Sequence, residues 1–183
     1  MKKIIVIAAT IFTGFAANAQ LANTSASQTT NLVLSNAIDM TFTANNTTTG
    51  PLVSLPFTTT NDYANGVAST AQQLKVRSNK NFNITVKSSA TNFSYTGATS
   101  PAPVMPVNGV LGLEVTANGT GGSIVAPFSA ASYSTLTSSN QNLLSAGTYG
   151  GNQTFSVQYQ ATPGWSYPAG TYAVDVVYTA TQQ

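Results

Sequence analysis

Side chains that carry reactive chemistry are scarce in this chain. Its 183 residues include no His and no Cys, and only four carboxylates: Asp39, Asp62, Glu114 and Asp175. Without imidazole there is no His base to activate a Ser or Thr hydroxyl, and without a thiol there is neither a sulfur nucleophile nor a thiolate metal site. Glycoside hydrolysis needs two carboxyl groups about 5–10 Å apart across a cleft. The four here are scattered, and Asp39 and Asp175 fall on outward strand positions. No acidic cluster suits Ca²⁺. Gly119-Thr120-Gly121-Gly122 does not follow a strand and open a helix, so it reads as turn chemistry and not as a phosphate cradle. The expectation is a protein that is not an enzyme and uses no cofactor and no metal.

Two groups of side chains suit binding instead. Lys75, Arg77, Lys80 and Lys87 lie close together in LKVRSNKNFNITVKSS, three on outward positions of a predicted hairpin and Lys80 at its tip. They suit either docking to an acidic surface such as lipopolysaccharide, or a solvated hairpin whose charges keep it from pairing with neighbours. Trp165 and Tyr167 sit in a Pro/Gly-rich loop with Tyr159 and Tyr172 nearby. Tyr159, Trp165 and Tyr167 are candidate aromatics for stacking on a glycan, or else rings that close one end of the core.

The elements that must position these groups read as strands. Ile38, Met40 and Phe42 alternate with polar neighbours, the period of a half-buried strand. Leu32, Val33 and Leu34 suggest a short strand before it. Leu52, Val53 and Leu55, cut by Pro51 and Pro56, suggest an edge strand. Leu74 and Val76, then Phe82, Ile84 and Val86, point inward on either side of Ser78-Asn79-Lys80-Asn81, which predicts a β-hairpin. Leu111, Leu113 and Val115 share one face of a strand over 110–117, and Ile124, Val125 and Phe128 suggest another. Residues 129–151 are Ser/Asn/Gly-rich around Leu143 and Leu144, with room for a short helical turn. Phe155, Val157, Tyr159 and Ala161 alternate, and after the 163–170 break so do Tyr172, Val174, Val176 and Tyr178. There is no long amphipathic helix and no fixed-period repeat. Eight or more short strands with turns between them predict an all-β chain folded as an antiparallel β-sandwich.

Met1-Lys2-Lys3, the apolar run Ile4 to Phe15 and Ala17-Asn18-Ala19 read together as a cleaved signal peptide over 1–19. The apolar run is too short to span a bilayer, which takes about 20 residues, and no later run is longer. Residues 20–183 then form one domain, with a polar, flexible start over about 20–30. Lys2 and Lys3 leave with the leader, and the four remaining basic residues balance the four acidic ones. The sequence pI of about 8.9 therefore implies no affinity for nucleic acid. Export without cysteine means that the core alone holds the fold.

The closing Pro168-Ala169-Gly170-Thr171-Tyr172, followed by an alternating terminal strand, resembles the C-terminal signature of secreted bacterial β-sandwich subunits. It is similar to the spore coat U and archaic chaperone–usher pilin group and to related short exported domains. The resemblance implies an immunoglobulin-like sandwich that lacks one strand, with an open groove beside the C-terminal strand. A neighbour's N-terminal segment fills that groove by strand addition, and head-to-tail repetition gives an open fibre. On that reading Leu21, Leu32 and Leu34 insert, and Tyr172, Val174, Val176 and Tyr178 receive. The partner is a second copy or a related surface subunit. The protein is secreted, passing the periplasm to the cell surface or an extracellular fibre. The alternative is a secreted glycan-binding or adhesin module that uses the loop aromatics.

Overall fold

The computed structural model describes residues 24–183. The expected leader over 1–19 and Leu21 lie outside the described residues. The chain divides into Met1–Leu34 and Ser35–Gln183. Residues 24–37 contain no strand. This corrects the strand expected at Leu32–Leu34, whose three side chains are 82%, 86% and 80% exposed. A short apolar run alone makes no strand; the backbone needs a neighbour to bond to.

Twelve strands and one short helix follow: β1 (Ile38–Phe42), α1 (Thr60–Asn65), β2 (Val67–Ala68), β3 (Gln72–Ser78), β4 (Phe82–Ser88), β5 (Ser94–Thr96), β6 (Leu111–Asn118), β7 (Ser123–Ile124), β8 (Ser134–Thr135), β9 (Gln141–Gly147), β10 (Gly150–Ala161), β11 (Thr171–Ala173) and β12 (Val176–Gln182). One sheet runs β1-β3-β10-β6-β8, with β2 also on β10, and a second runs β12-β4-β9-β7. β11 and β5 form a separate pair. All pairings are antiparallel. The chain is thus nearly all β.

The two larger sheets share one core in a sandwich-like arrangement. Leu74, Val76, Leu113, Val115, Phe155 and Val157 of the first sheet meet Phe82, Ile84, Val86, Leu143 and Leu144 of the second, all essentially inaccessible. Val107, Phe128 and Leu136 close it from the connecting segments. At about 1.5–3 kcal/mol for each fully buried large apolar side chain, this cluster is the main source of stability in a chain without disulfides.

The largest correction concerns the expected hairpin. β3 and β4 do not pair. β3 bonds β1 and β10, β4 bonds β12 and β9, and Asn79-Lys80-Asn81 carries the chain from one sheet to the other. The inward residues were read correctly, but they face one another across the core. The turn residues build the crossing. Ser78 Oγ donates to Lys80 O at 2.6 Å, and the Asn79 side chain donates to Ser35 O and accepts from Ala37 N–H at 2.8 and 2.9 Å.

Three smaller corrections follow from pairing as well. The segment 51–57 is assigned to no strand, although Val53 and Leu55 pack against the core. The helical turn entertained for 129–151 is absent; β8 and β9 lie there instead. The β4–β9 register slips between Ile84↔Leu144 and Thr85↔Asn142, and a bulge of this kind turns two successive leucines inward. Finally, Tyr172 to Tyr178 is two elements, since Tyr172 pairs with Tyr95 in β5 and Val176 with Ser88 in β4.

Candidate functional site

Two of the four carboxylates, Asp39 and Asp62, have structural partners. Asp39 in β1 stands opposite Arg77 in β3, and the guanidinium donates Nε–H to both carboxylate oxygens at 3.0 and 3.1 Å and Nη2–H to Oδ2. That hydrogen bonding from Arg77 holds the Asp39 carboxyl below its ordinary range. Asp62 completes a capping box on α1, accepting N–H bonds from Thr58 and Thr59 at 2.8 and 2.7 Å while Thr59 Oγ1 accepts from Asp62 N–H. These backbone donors lower its pKa, as expected for an anion at a helix start. Among the described residues no group of three His, Cys, Asp or Glu side chains could hold a metal ion. No helix among them is long and apolar enough to cross a membrane.

The basic residues are dispersed by the β3–β4 crossing. Lys75 and Arg77 lie on the outer face of the first sheet, Lys87 on the outer face of the second, and Lys80 in the connection. The single cationic face expected from a hairpin is not formed.

The open edges of the two sheets are more informative. β12 has a hydrogen-bonded neighbour on one side only, and β1 has beyond β3 only the bridge from Phe42 to Thr47; their rings meet, Phe42 and Tyr178 packing edge to face at 6.3 Å between centroids. The opposite borders, β8 and β7, are two residues long. Gln183 N–H donates to Asn81 O and Ser89 N–H to Asp175 O, both at 2.8 Å. Odd-numbered residues of this stretch therefore turn their backbone groups toward β4. Because the two polar groups of an antiparallel residue point to one side and alternate along the strand, those of Val176, Tyr178, Ala180 and Gln182 point away from β4. On β1, Asn79 N–H bonds Ala37 O and Thr43 N–H bonds Gln73 O at 3.2 and 2.9 Å, so Ile38 and Met40 present theirs outward too. β12, VVYTATQ, holds no charge and no Pro, the devices that usually blunt an edge.

Apolar side chains accompany these edges. Ile38, Met40, Phe42, Val174, Val176, Tyr178 and Ala180 are half-buried against the core. Tyr172, Val174 and Val176, on the inward positions of the expected alternation, are only half-buried: Tyr172 lies in the separate β11–β5 pair, Val174 in no strand and Val176 on a sheet edge, while Asp175 is exposed as its outward position implies.

The aromatic residues divide. Tyr159, a candidate glycan aromatic that also falls on the inward alternation of its strand, is a core residue, 7% exposed, with its hydroxyl 2.7 Å from that of Tyr178. Trp165 is 65% exposed and stacks on Tyr63 of α1, centroids 5.3 Å apart and planes at 22°, while Phe57 packs on Tyr63 in a tilted arrangement at 5.4 Å. Tyr167 packs on Tyr172 and Tyr172 on Tyr95 at 6.3 and 5.0 Å. Burial, then the neighbouring phenols Tyr95, Tyr167 and Tyr63, push the Tyr172 hydroxyl up. Sequence reasoning missed Phe57, Tyr63 and Tyr95 here; nothing in their spacing links them to the 163–170 loop.

The same cluster accounts for the Pro-Ala-Gly-Thr-Tyr ending. Tyr95 Oη donates to Ala169 O at 3.0 Å and Tyr172 Oη to Pro168 O at 2.9 Å, and a Cβ at Gly170 would run into the Tyr95 ring. Compared with known proteins, the chain matches no family model and no curated protein.

Proposed function

We propose that this chain is a structural subunit of a bacterial cell-surface fibre or extracellular matrix, assembled by β-strand addition between copies. The observation that carries this reading is the edge of β12, seven residues long, uncharged, and with the backbone groups of alternate residues directed away from its sheet. Such an edge is a template for another strand. Leu32, Val33 and Leu34 supply a matching segment, exposed and in no strand. Added along β12 of a second copy, Leu32 and Leu34 would cover the half-buried stripe of β1 and β12, and Val33 would lie beside Val177 on the outer face. Immunoglobulin-like connectivity and export to the cell surface belong to the same proposal. They are supported by the likeness of the C-terminal ending to spore coat U and archaic pilin subunits, and by the leader-like first residues.

The test compares the exported full chain with a variant lacking residues 20–34. Full-length protein is expected to give heat-sensitive ladders on a gel and the deletion variant a single band. Equal ladders from both, or a monomeric full-length protein at high concentration, would overturn strand addition.

A further inference from the structure

The exposed aromatic surface carries an inference that does not depend on assembly. We propose that the Tyr63–Trp165 stack is a binding platform for a neutral polysaccharide. Six rings gather here: Phe57, Tyr63 and Trp165 in one run of contacts, Tyr167, Tyr172 and Tyr95 in another. The one most open to solvent is the indole, in a chain with a single Trp. A plug closing the core would bury that ring; Trp165 instead belongs neither to the buried cluster nor to the half-buried side chains packed against it. Trp165 is held by Tyr63, which is itself held by Phe57, so its plane is set before any ligand arrives. A rigid aromatic surface binds with little loss of side-chain entropy.

The polar groups identify the ligand class. Tyr95 and Tyr172 spend their hydroxyls on Ala169 and Pro168. Among the described residues no protein group is hydrogen-bonded to the Tyr63 or Tyr167 hydroxyls or to the Trp165 indole N–H, which leaves three polar groups beside flat apolar faces. A sugar ring offers the complement, C–H groups on one face and hydroxyls around the rim. The exposed chain neighbours Asn61, Asn65 and Ser166 are uncharged, and the carboxylate of Asp62 is committed to the cap of α1. No Lys or Arg belongs to the cluster, so a nucleic acid or an anionic lipid surface would find no counter-charge. A neutral ligand fits.

The test uses the full chain with microcrystalline cellulose, chitin and a soluble β-glucan. Retention on at least one is expected, with a shift in Trp165 emission on titrating the corresponding soluble oligosaccharide. Trp165→Ala should weaken binding at least tenfold at an unchanged melting temperature, and Trp165→Phe, which keeps a ring on Tyr63, by less. Retention on none of the three would overturn the proposal. So would binding of Trp165→Ala as tight as that of the parent chain, or retention with unshifted emission, which needs no variant to interpret.

Discussion

The hydroxyl of Tyr159, on β10 of one sheet, lies 2.7 Å from the hydroxyl of Tyr178, on β12 of the other. Tyr178 also packs edge to face against Phe42 and Phe155 at 6.3 and 6.2 Å, so one ring joins the two sheets at their open side. Tyr178→Phe keeps the packing but leaves the buried Tyr159 hydroxyl without this partner. It should destabilise by about 1–3 kcal/mol, whereas changing both to Phe should lose less than the two single effects summed. Urea unfolding of the three variants measures this.

The same pair predicts alkaline sensitivity. Burial raises Tyr159 from 10.0 to about 12 and drives Tyr178 upward as well. A raised folded-state pKa means that the neutral phenol is favoured by folding. The contribution is therefore complete below pH 10.0 and is lost as pH rises toward about 12. The slope approaches ~1.4 kcal/mol per pH unit for each tyrosine in that window. Stability measured across it should fall more gently when both tyrosines are Phe.

Gly170→Ala should destabilise the β5–β11 end. The added methyl meets the Tyr95 ring, which cannot swing away without giving up its bond to Ala169 O. Overpacking of this kind costs about 1–3 kcal/mol. Thermal unfolding checks it, and Gly170→Ala combined with Tyr95→Ala should recover part of the loss.

Two prolines on adjacent residues separate folding from assembly. The Ala180 N–H points away from β4 while the Thr179 N–H points toward it, by the parity set at Gln183 and Asp175. Ala180→Pro thus removes only an edge donor, a tolerated place for Pro, and Thr179→Pro removes a ladder bond. Ala180→Pro is expected to fold and to lose the ladders on a gel; Thr179→Pro is expected to fail in folding.

The inward register of β12 is testable at Val176 and Val177. Val176 packs against the core and Val177 is 38% exposed. Val176→Asp should cost about 1–3 kcal/mol by setting a charge against the half-covered apolar stripe, and Val177→Asp should stay within about 0.5 kcal/mol, as surface changes do. The reverse order in denaturant unfolding would place the strand one residue out of register.

What the amino-acid sequence determined by itself was which side chains face inward. The alternation in Leu74–Val76, Phe82–Val86, Leu111–Val115, Phe155–Tyr159 and Val176–Ala180 survives into the structure, because side chains on a strand alternate between faces whatever the strand pairs with. For the same reason periodicity said nothing of partners. A hairpin and a crossing between sheets place Leu74, Val76, Phe82, Ile84 and Val86 inward alike, so only the tertiary structure sent β3 and β4 to different sheets and dispersed Lys75, Arg77, Lys80 and Lys87. The Pro168–Tyr172 ending was legible as a motif. Its reason, the Tyr95 ring seated against Gly170, comes from a residue far away in the chain. The aromatic surface was half legible: Trp165 and Tyr167 announced themselves in a loop, but Tyr63 reached them only through the placement of α1, and Tyr159 left them for the core. Each is a contact between residues remote in sequence, and such contacts are decided by how sheets stack and not by the order of residues within a strand.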